Sequence, residues 1–382
     1  MNKEDIVSQI IRSSEAPAET EDETPTGHFN SGNIMLNVAC SGKWNGGFGK
    51  GKITNIIGDS FVGKTLQVKT LFAELAYDPA YDDYLLIDDE VERGDGMPIA
   101  QMFGAKTAER ITAPRATAEG ELQGSDTVED FLDSIYKVIK SGKPFVYALD
   151  TFDALTDREE KAIIEHNIKV RDKGREKGTD EDKIKTKESY GTMKVREFNK
   201  ALRLIKAELQ NTESGLIVVS QVRENIGAQM FEPKFKRSGG KALKHYSWHE
   251  IWLAKLENIK RGTPPRERVM GAWVQARITK NRTTGKIRTC DFPVLTDYGV
   301  DNLEACIDFL TEEKFWSKSG QKIAVPMLRF EGTKAALIQM LDGKERLQRR
   351  MFEAVEKGWA EIEESLKLDR QPKYPVGGEV ND

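Results

Sequence analysis

The sequence feature that most constrains the fold is an octapeptide at residues 58–65, which reads GDSFVGKT. It satisfies every fixed position of the pattern G-x-x-x-x-G-K-[ST]. In that pattern the glycines let backbone N–H groups converge on an anion, and the lysine neutralises phosphate charge. The apolar run at residues 52–57 predicts a buried strand and residues 64–75 a helix, which is the strand-before, helix-after context that the pattern requires. The sequence therefore predicts a phosphate-binding loop in an α/β fold.

Short apolar runs alternate with longer amphipathic segments along the following part of the chain. The expected strands are residues 84–87, 145–149 and 215–219, and the expected helices are residues 128–139 and 190–209. Strands separated by helices are typical of a parallel sheet that is covered on both faces. Antiparallel additions to the sheet are expected at residues 251–256, 273–279 and 287–292. The predicted fold class is α/β, with a mostly parallel central sheet flanked by helices.

The remaining segments are expected to be appendages to a core that spans residues 28–300. Residues 1–27 are expected to form a short helix and an acidic linker, and residues 301–368 a small α-rich C-terminal subdomain. Residues 369–382 are expected to be a flexible tail. Residues 157–188 are crowded with charges of both signs and lack apolar periodicity, which favours a long functional or unstructured loop.

Composition excludes several classes of protein. The 58 basic and 62 acidic residues give a net charge of −4, so a nucleic-acid site would have to be a local patch. No run approaches the 18 or so apolar residues of a transmembrane helix, and no membrane partner is expected. The three cysteines (Cys40, Cys290 and Cys306) are far apart in the sequence, which favours a reduced, cytoplasmic protein over one with a disulfide framework.

Acidic residues end two of the predicted strands. Asp150 follows the apolar run FVYAL and is expected to hold Mg²⁺ together with the hydroxyl group of Thr65. The strand at residues 84–87 leads into Asp88, Asp89 and Glu90. A carboxylate at the C-terminal edge of a parallel sheet can orient and deprotonate an attacking water. A solvated acidic turn has the same pattern, and the residues alone do not choose among the three acids.

In content and order these motifs resemble the RecA family of recombinases, including phage-encoded relatives of the UvsX type. The similarity covers about residues 28–325. Apart from the phosphate loop and the acidic strand, the matching segments are residues 29–39, 46–54, 218–227, 238–246, 278–282 and 298–301.

The resemblance implies a RecA-type P-loop ATPase core that binds ATP and Mg²⁺. Glu90, Lys64 and Gln221 would be catalytic, with Gln221 sensing the γ-phosphate. Lys280 and Arg282 would reach the ATP of the neighbouring subunit, although the family usually has two lysines there. The residues expected to contact the nucleotide within one subunit are Gly58, Asp59, Ser60, Phe61, Val62, Gly63, Lys64, Thr65 and Leu66.

The segment after Gln221 mixes cations with apolar and aromatic residues. Cations can neutralise phosphates, and aromatic side chains can stack on unpaired bases. An ordinary basic surface loop has a similar composition, but the position directly after Gln221 favours DNA binding. A first DNA loop would lie in residues 157–188 or just before Met193. The residues assigned to DNA are Arg223, Ile226, Phe231, Lys234, Phe235, Lys236, Arg237, Gly239 and Gly240.

The function implied by the resemblance is an ATP-dependent DNA recombinase. It would form helical filaments on single-stranded DNA, pair it with homologous duplex DNA and exchange strands in recombinational repair. Its partners would be DNA and further copies of the chain, with single-strand-binding and loader proteins as candidate accessory partners. It would act on DNA in the cytoplasm of a bacterial or phage-infected cell. Two alternatives stay open: a RecA-like hexameric helicase or motor, and a recombinase regulator or loader that exchanges no strands.

Overall fold

The structure is a computed structural model that describes residues 27–91, 97–116, 120–177, 192–224, 235–237 and 240–370. The helix and linker predicted for residues 1–27 lie outside the described residues except for Gly27. The predicted tail lies outside them beyond Arg370. In the part of the chain that is described, no helix has the length and apolar character needed to cross a membrane.

The strands and helices of the described residues are numbered here in chain order. The strands are β1 (His28–Phe29), β2 (Phe48–Gly49), β3 (Lys52–Gly58), β4 (Leu85–Glu90), β5 (Ile111–Thr112), β6 (Arg115–Ala116), β7 (Leu122–Gln123), β8 (Phe145–Asp150), β9 (Gly215–Glu224), β10 (Phe235–Arg237), β11 (Ser247–Arg261), β12 (Arg268–Asn281), β13 (Arg288–Leu295), β14 (Gly299–Val300), β15 (Ser317–Ser319), β16 (Lys322–Val325) and β17 (Phe330–Thr333). The helices are α1 (Ile34–Ser41), α2 (Lys64–Tyr77), α3 (Ile99–Phe103), α4 (Ala105–Arg110), α5 (Val128–Lys140), α6 (Arg158–Lys177), α7 (Thr192–Asn211), α8 (Gly240–Tyr246), α9 (Asn302–Glu312), α10 (Lys334–Leu341) and α11 (Glu345–Ser365).

One large sheet organises the molecule, with strand order β14-β13-β12-β11-β3-β9-β8-β4-β5 and β10 paired to β9. All neighbouring pairs from β11 to β5 are parallel, and those from β11 to β14 are antiparallel. This confirms the predicted α/β class. Strand β11 was expected to be antiparallel to its neighbours. It is antiparallel to β12, but its first half runs parallel to β3, so the expectation was wrong for that pair. Helix α8 carries the chain back to the edge where β3 begins, so β11 starts beside that strand.

The parallel strands are buried on both faces. Every residue of β3 and of β8 is buried, which is why these strands are continuous apolar runs in the sequence. On one face Ile56 packs in an apolar cluster with Phe72 of α2, and on the other Ile53 packs in a cluster with Phe131 of α5 and Phe198 of α7. The two helical layers fix the strands so that their carboxyl ends meet at one edge.

The long loop predicted for residues 157–188 is a helix over most of its length, because α6 spans Arg158–Lys177. The N–H of Glu160 donates to Oδ1 of Asp157 over 2.7 Å, which caps the start of the helix. Glu159 and Glu160 lie in the first turn, where the positive end of the helix dipole stabilises their negative charges. The prediction was wrong because it relied on an apolar stripe, which a mostly solvated helix lacks. Residues 178–191 lie outside the described range.

The C-terminal elements pack on the antiparallel side of the sheet. Leu310, Trp316 and Met351 belong to the same apolar cluster as Ile278 and Phe292 of the sheet. The segment also contains a three-stranded antiparallel sheet of β15, β16 and β17, which the α-rich prediction did not include. A separate subdomain with a boundary at residue 300 stays a prediction.

A salt bridge between Glu363 and Arg288 joins α11 to β13. Glu363 on α11 accepts hydrogen bonds from Nε of Arg288, from Nη2 of Arg288 at 2.6 Å and from Nζ of Lys286 at 2.6 Å. The hydrogen bonds from Arg288 lower the pKa of Glu363 from 4.5 to about 2. A carboxyl group with a lowered pKa stabilises the fold above its ordinary pKa and loses that contribution as the pH falls towards the lowered value.

Replacing Glu363 with Gln is expected to lower the free energy of unfolding by about 1–2 kcal/mol at pH 7, because charged hydrogen bonds become neutral ones at a partly solvated site. The difference from wild type should shrink as the pH falls below about 4.5. Urea unfolding of both proteins at pH 7, 5 and 3.5 measures it. Glu364→Gln, which alters an exposed neighbouring carboxylate, is the matched control. A difference that is equal at all three pH values would contradict the assignment.

Candidate active site

Several strands end together beside the phosphate loop. Gly58 of β3 is in register with Gln221 of β9 and with Leu253 of β11, and Glu90 of β4 is in register with Asp150 of β8. A cavity of about 520 Å³ lies against this edge. Ligands of parallel sheets bind at such carboxyl ends, so the cavity is the candidate active site.

Two glycines of the loop are required by its shape. Gly63 has a φ of 84°, and a Cβ atom there would lie 3.2 Å from Cγ1 of Val294. A Cβ atom on Gly58 would lie 2.6 Å from Cγ2 of Val62 and 3.0 Å from the carbonyl oxygen of Leu253. A side chain at either position would collide with these neighbours. Glycine at both positions lets the backbone turn tightly at the cavity wall, as phosphate binding by N–H groups requires.

The side chain of Lys64 reaches back across the phosphate loop to the first residues of that loop. Its ammonium donates to the carbonyl oxygen of Gly58 at 2.9 Å and to that of Asp59 at 2.6 Å, and the residue is only 8% exposed. All residues from 60 to 66 line the cavity. Gly58 and Asp59 do not line it, and their carbonyl groups accept the hydrogen bonds from Lys64. The loop therefore presents a cation and the start of α2 to one space, which suits a polyphosphate.

Thr65 and Asp150 form a pair of oxygen donors at the cavity. The hydroxyl of Thr65 donates to Oδ2 of Asp150 over 2.6 Å. Burial raises the pKa of Asp150 to about 6, against the opposing effects of the Thr65 hydrogen bond and the charge of Lys69. A hydroxyl and a carboxylate fit a hard cation such as Mg²⁺. Among the described residues there is no group of three or more His, Cys, Asp or Glu that could hold a metal, so further ligands would have to come from other groups, such as water or a bound phosphate.

The three acids at the end of β4 divide between the two faces of the sheet. Asp89 is fully buried on the face away from the cavity, where Tyr147 Oη donates to it at 2.5 Å and Ser125 Oγ at 2.7 Å. Asp88 pairs with Lys69 of α2. Of the three, only Glu90 lines the cavity. Strand alternation thus separates Asp89 from the other two acids, and of those two Glu90 is the one that lines the cavity.

Gln221 joins the cavity to the segment that the sequence assigns to DNA. The residue lines the cavity, and its N–H donates to Oδ2 of Asp153 at 2.7 Å. Directly after it β9 pairs antiparallel with β10, with Arg223 in register with Lys236, so the segment leaves the sheet as a hairpin. Of the other residues assigned to DNA, Phe235 and Arg237 lie in β10 and Gly240 opens α8, whereas Ile226, Phe231, Lys234 and Gly239 lie outside the described residues.

Lys280 and Arg282 do not line this cavity. Lys280 of β12 is in register with Glu250 of β11, which pairs with Asn55 in the middle of β3, three residues before the phosphate loop begins at Gly58. Its ammonium donates to the carbonyl oxygens of Lys244 at 2.6 Å and His245 at 2.8 Å. The two cations therefore lie away from the phosphate loop of their own chain, on the side where β3 begins.

The sequence of this chain is similar to a known protein family and to known proteins. A family model described as the RecA N-terminal domain matches residues 179–301. The Protein RecA of Rhodococcus jostii (strain RHA1) is 26% identical over 350 residues, which are 92% of this chain and 84% of that protein. The Protein RecA of Mycolicibacterium gilvum (strain PYR-GCK) is 25% identical over 352 residues, 92% of this chain and 84% of that protein. The chain is similar to these RecA proteins over most of its length.

The RecA family model covers Gln221, Lys280 and Arg282, and the phosphate loop precedes its matched segment. A more distant RecA, that of Corynebacterium aurimucosum, is 24% identical over 300 residues, 78% of this chain and 68% of that protein. These relatives are bacterial, and the predicted relationship to phage UvsX-type members stays a prediction.

One side of the cavity wall carries no residue that the sequence assigns to the site. It is formed by the antiparallel strands and is lined by Lys255, Asn258, Val269, Gly271, Ala272, Val274, Val294 and Thr296. No motif marks these residues. These residues reach the cavity because β11 is long: it continues for eight residues beyond Leu253 and so extends past the phosphate loop. Such a mixed polar and apolar wall is typical of small-molecule sites.

Proposed function

We propose that this protein is an ATP-dependent DNA recombinase of the RecA family. It assembles as a helical filament on single-stranded DNA, pairs that strand with homologous duplex DNA and supports recombinational repair in the cytoplasm. The proposal rests chiefly on Gln221, which lines the phosphate cavity and is followed directly by the hairpin assigned to DNA. One residue thereby connects a nucleotide site to a DNA site.

The proposed roles follow from the contacts at the cavity. Lys64 and the N–H groups of the loop bind the phosphates, and Thr65 and Asp150 hold Mg²⁺. Bound Mg²⁺ supplies neutralisation of phosphate charge. Glu90 orients the attacking water and accepts its proton, and the side-chain amide of Gln221 bonds the terminal phosphate. Hydrolysis then removes the group that Gln221 holds, which changes the position of the hairpin.

Lys280 and Arg282 are proposed to act on the ATP of the next protomer. They lie away from the phosphate loop of their own chain, so a head-to-tail contact can bring them to the cavity of a neighbour. ATP at that contact favours the assembled, DNA-binding state, because a ligand shifts an equilibrium towards the state it binds more tightly. ADP lacks the terminal phosphate and favours release.

The shape of the assembly separates the proposed recombinase from its two alternatives. Negative-stain electron microscopy with single-stranded DNA and a non-hydrolysable ATP analogue is expected to show open helical filaments. Closed rings would indicate a hexameric helicase or motor. A protein that binds nucleotide but forms neither would indicate a regulator or loader, which acts with another recombinase or with single-strand-binding proteins.

The hairpin is expected to carry much of the affinity for single-stranded DNA. Replacing Phe231 and Lys236 together with Ala removes a stacking ring and a phosphate contact, so affinity should fall by about 10-fold or more and the salt dependence should weaken by about one unit. Fluorescence anisotropy with a labelled oligonucleotide at several salt concentrations measures both. Tyr136→Ala with Lys137→Ala also removes one aromatic ring and one lysine, from the exposed side of α5, and is the matched control. Unchanged binding in the hairpin variant would place the DNA site elsewhere.

A further inference from the structure

Lys69 of α2 is a buried cation next to the proposed catalytic carboxylate. It lies five residues after Lys64, is 1% exposed and has no role in any motif of the sequence. Its ammonium makes a close ion pair with Oδ2 of Asp88 and a second one with Oε2 of Glu90 at 3.3 Å. Three charged groups thus meet between α2 and β4, beside the cavity.

The alternation of β4 explains why these groups meet. Asp88 and Glu90 are two residues apart on a strand, so both side chains point to the face that α2 covers. Two carboxylates on one face repel each other, and an unpaired buried ammonium is strongly unfavourable. Burial alone would lower the pKa of Lys69, but the charges of Asp88 and Glu90 outweigh it and raise the pKa. The single ammonium of Lys69 is therefore shared by both carboxylates.

Glu90 is the member of the cluster that reaches the cavity. Its side chain is 29% exposed, and one of its carboxylate oxygens is held by Lys69. Lys69 in turn is fixed by the tighter contact with Asp88, whose side chain is 13% exposed. Because Lys64, Thr65 and Lys69 belong to the first turns of one helix, this contact ties the Glu90 carboxylate to the element that holds the phosphates.

We propose that Lys69 is a positioning residue for Glu90, with Asp88 as the anchor of its ammonium. The inference rests on the proposed function, in which Glu90 handles the attacking water. A carboxylate hinged on a flexible side chain needs a fixed partner to stay within reach of that water, and displacement by about 1 Å can cost about 100-fold in rate. Lys69 supplies this partner from the protein side and does not touch the substrate.

A purely structural ion pair between α2 and β4 would have different consequences. It would lower stability and weaken nucleotide binding, and its loss would reduce turnover whether or not residue 90 carries a carboxylate. A positioning residue acts through Glu90 alone. Its loss should lower kcat with little change in the KM for ATP, and should have no effect on kcat once Glu90 is absent.

The test compares the single-stranded-DNA-dependent ATPase of the full chain in Lys69→Met, Lys69→Arg, Glu90→Gln and the double variant Lys69→Met/Glu90→Gln. Lys69→Met should lower kcat by about 10- to 100-fold and change KM by less than about 3-fold. Lys69→Arg should restore most of the activity, because it keeps the charge. In the Glu90→Gln background, Lys69→Met should change the residual kcat by less than about 2-fold. If Lys69→Met does not fold by circular dichroism, Lys69→Gln replaces it with the same expectation.

Two results would overturn the inference: a Lys69→Met enzyme with wild-type kcat, or an equal loss of kcat in the presence and absence of Glu90. Failure of the proposed function is recognisable separately. In that case the wild-type chain itself shows no ATPase that depends on single-stranded DNA.

Discussion

Replacing Glu90 with Gln is expected to lower ATP turnover by about 100-fold or more while ATP and single-stranded DNA still bind. The amide keeps the size of the side chain but cannot accept a proton from the attacking water. Of the three acids that end β4, Glu90 is the one that lines the cavity, and Asp89 is held by Tyr147 and Ser125 on the far face. Steady-state ATPase assays and DNA-binding titrations measure the two properties on one preparation.

Glu74→Gln is the matched control for this variant. Glu74 is also a carboxylate and lies near the C-terminal end of α2, but its Oε2 accepts a hydrogen bond from Asn30 at 2.8 Å and it does not line the cavity. Its turnover should stay within about 2-fold of wild type. Turnover near the wild-type value in Glu90→Gln would mean that another group activates the water.

Replacing Lys64 with Ala is expected to weaken ATP binding by about 100-fold or more and to abolish filaments that depend on nucleotide. The ammonium is 8% exposed and lies at the phosphate loop, and truncating one partner of a buried charged contact costs about 2–5 kcal/mol. Binding is measured with a fluorescent ATP analogue, and filaments by negative-stain microscopy.

Lys137→Ala, which removes an exposed lysine of α5, should bind and assemble like wild type. Urea unfolding of the nucleotide-free proteins should agree within about 1 kcal/mol, which separates lost binding from lost structure. Normal ATP-driven filaments in Lys64→Ala would contradict the assignment of residues 58–65 to the nucleotide.

The parallel half of the fold could be predicted from the sequence because burial on both faces leaves a strong pattern there. β3 and β8 are fully buried, and the helices that cover them carry apolar residues on one side, so both element types have clear signals. The prediction was wrong for a segment that is mostly exposed to solvent. Helix α6 is charged on most sides, and its prediction as a loop followed from that lack of contrast.

The candidate site divides in the same way. The phosphate loop and the acid at the end of β8 are local patterns, and the structure brings both to one cavity. The antiparallel wall of the cavity, with Asn258 and Thr296, is assembled from strands that are distant in sequence and carry no motif. Lys69 was missed for a related reason, because a lysine on a helix is usually solvated and only the three-dimensional fold places it between Asp88 and Glu90.

A cavity completed by a neighbouring protomer is tested most directly by mixing two inactive variants. Lys64→Ala keeps Lys280 and Arg282 but lacks a working phosphate loop, and Lys280→Ala/Arg282→Ala keeps the loop but lacks the cations. In a head-to-tail filament of equal parts, up to about one quarter of the contacts would join an intact loop to intact cations. The mixture is therefore expected to show DNA-dependent ATPase well above the sum of the separate variants, approaching about a quarter of the wild-type rate. A mixture no more active than that sum, or a Lys280→Ala/Arg282→Ala variant with wild-type activity, would contradict a nucleotide shared between protomers.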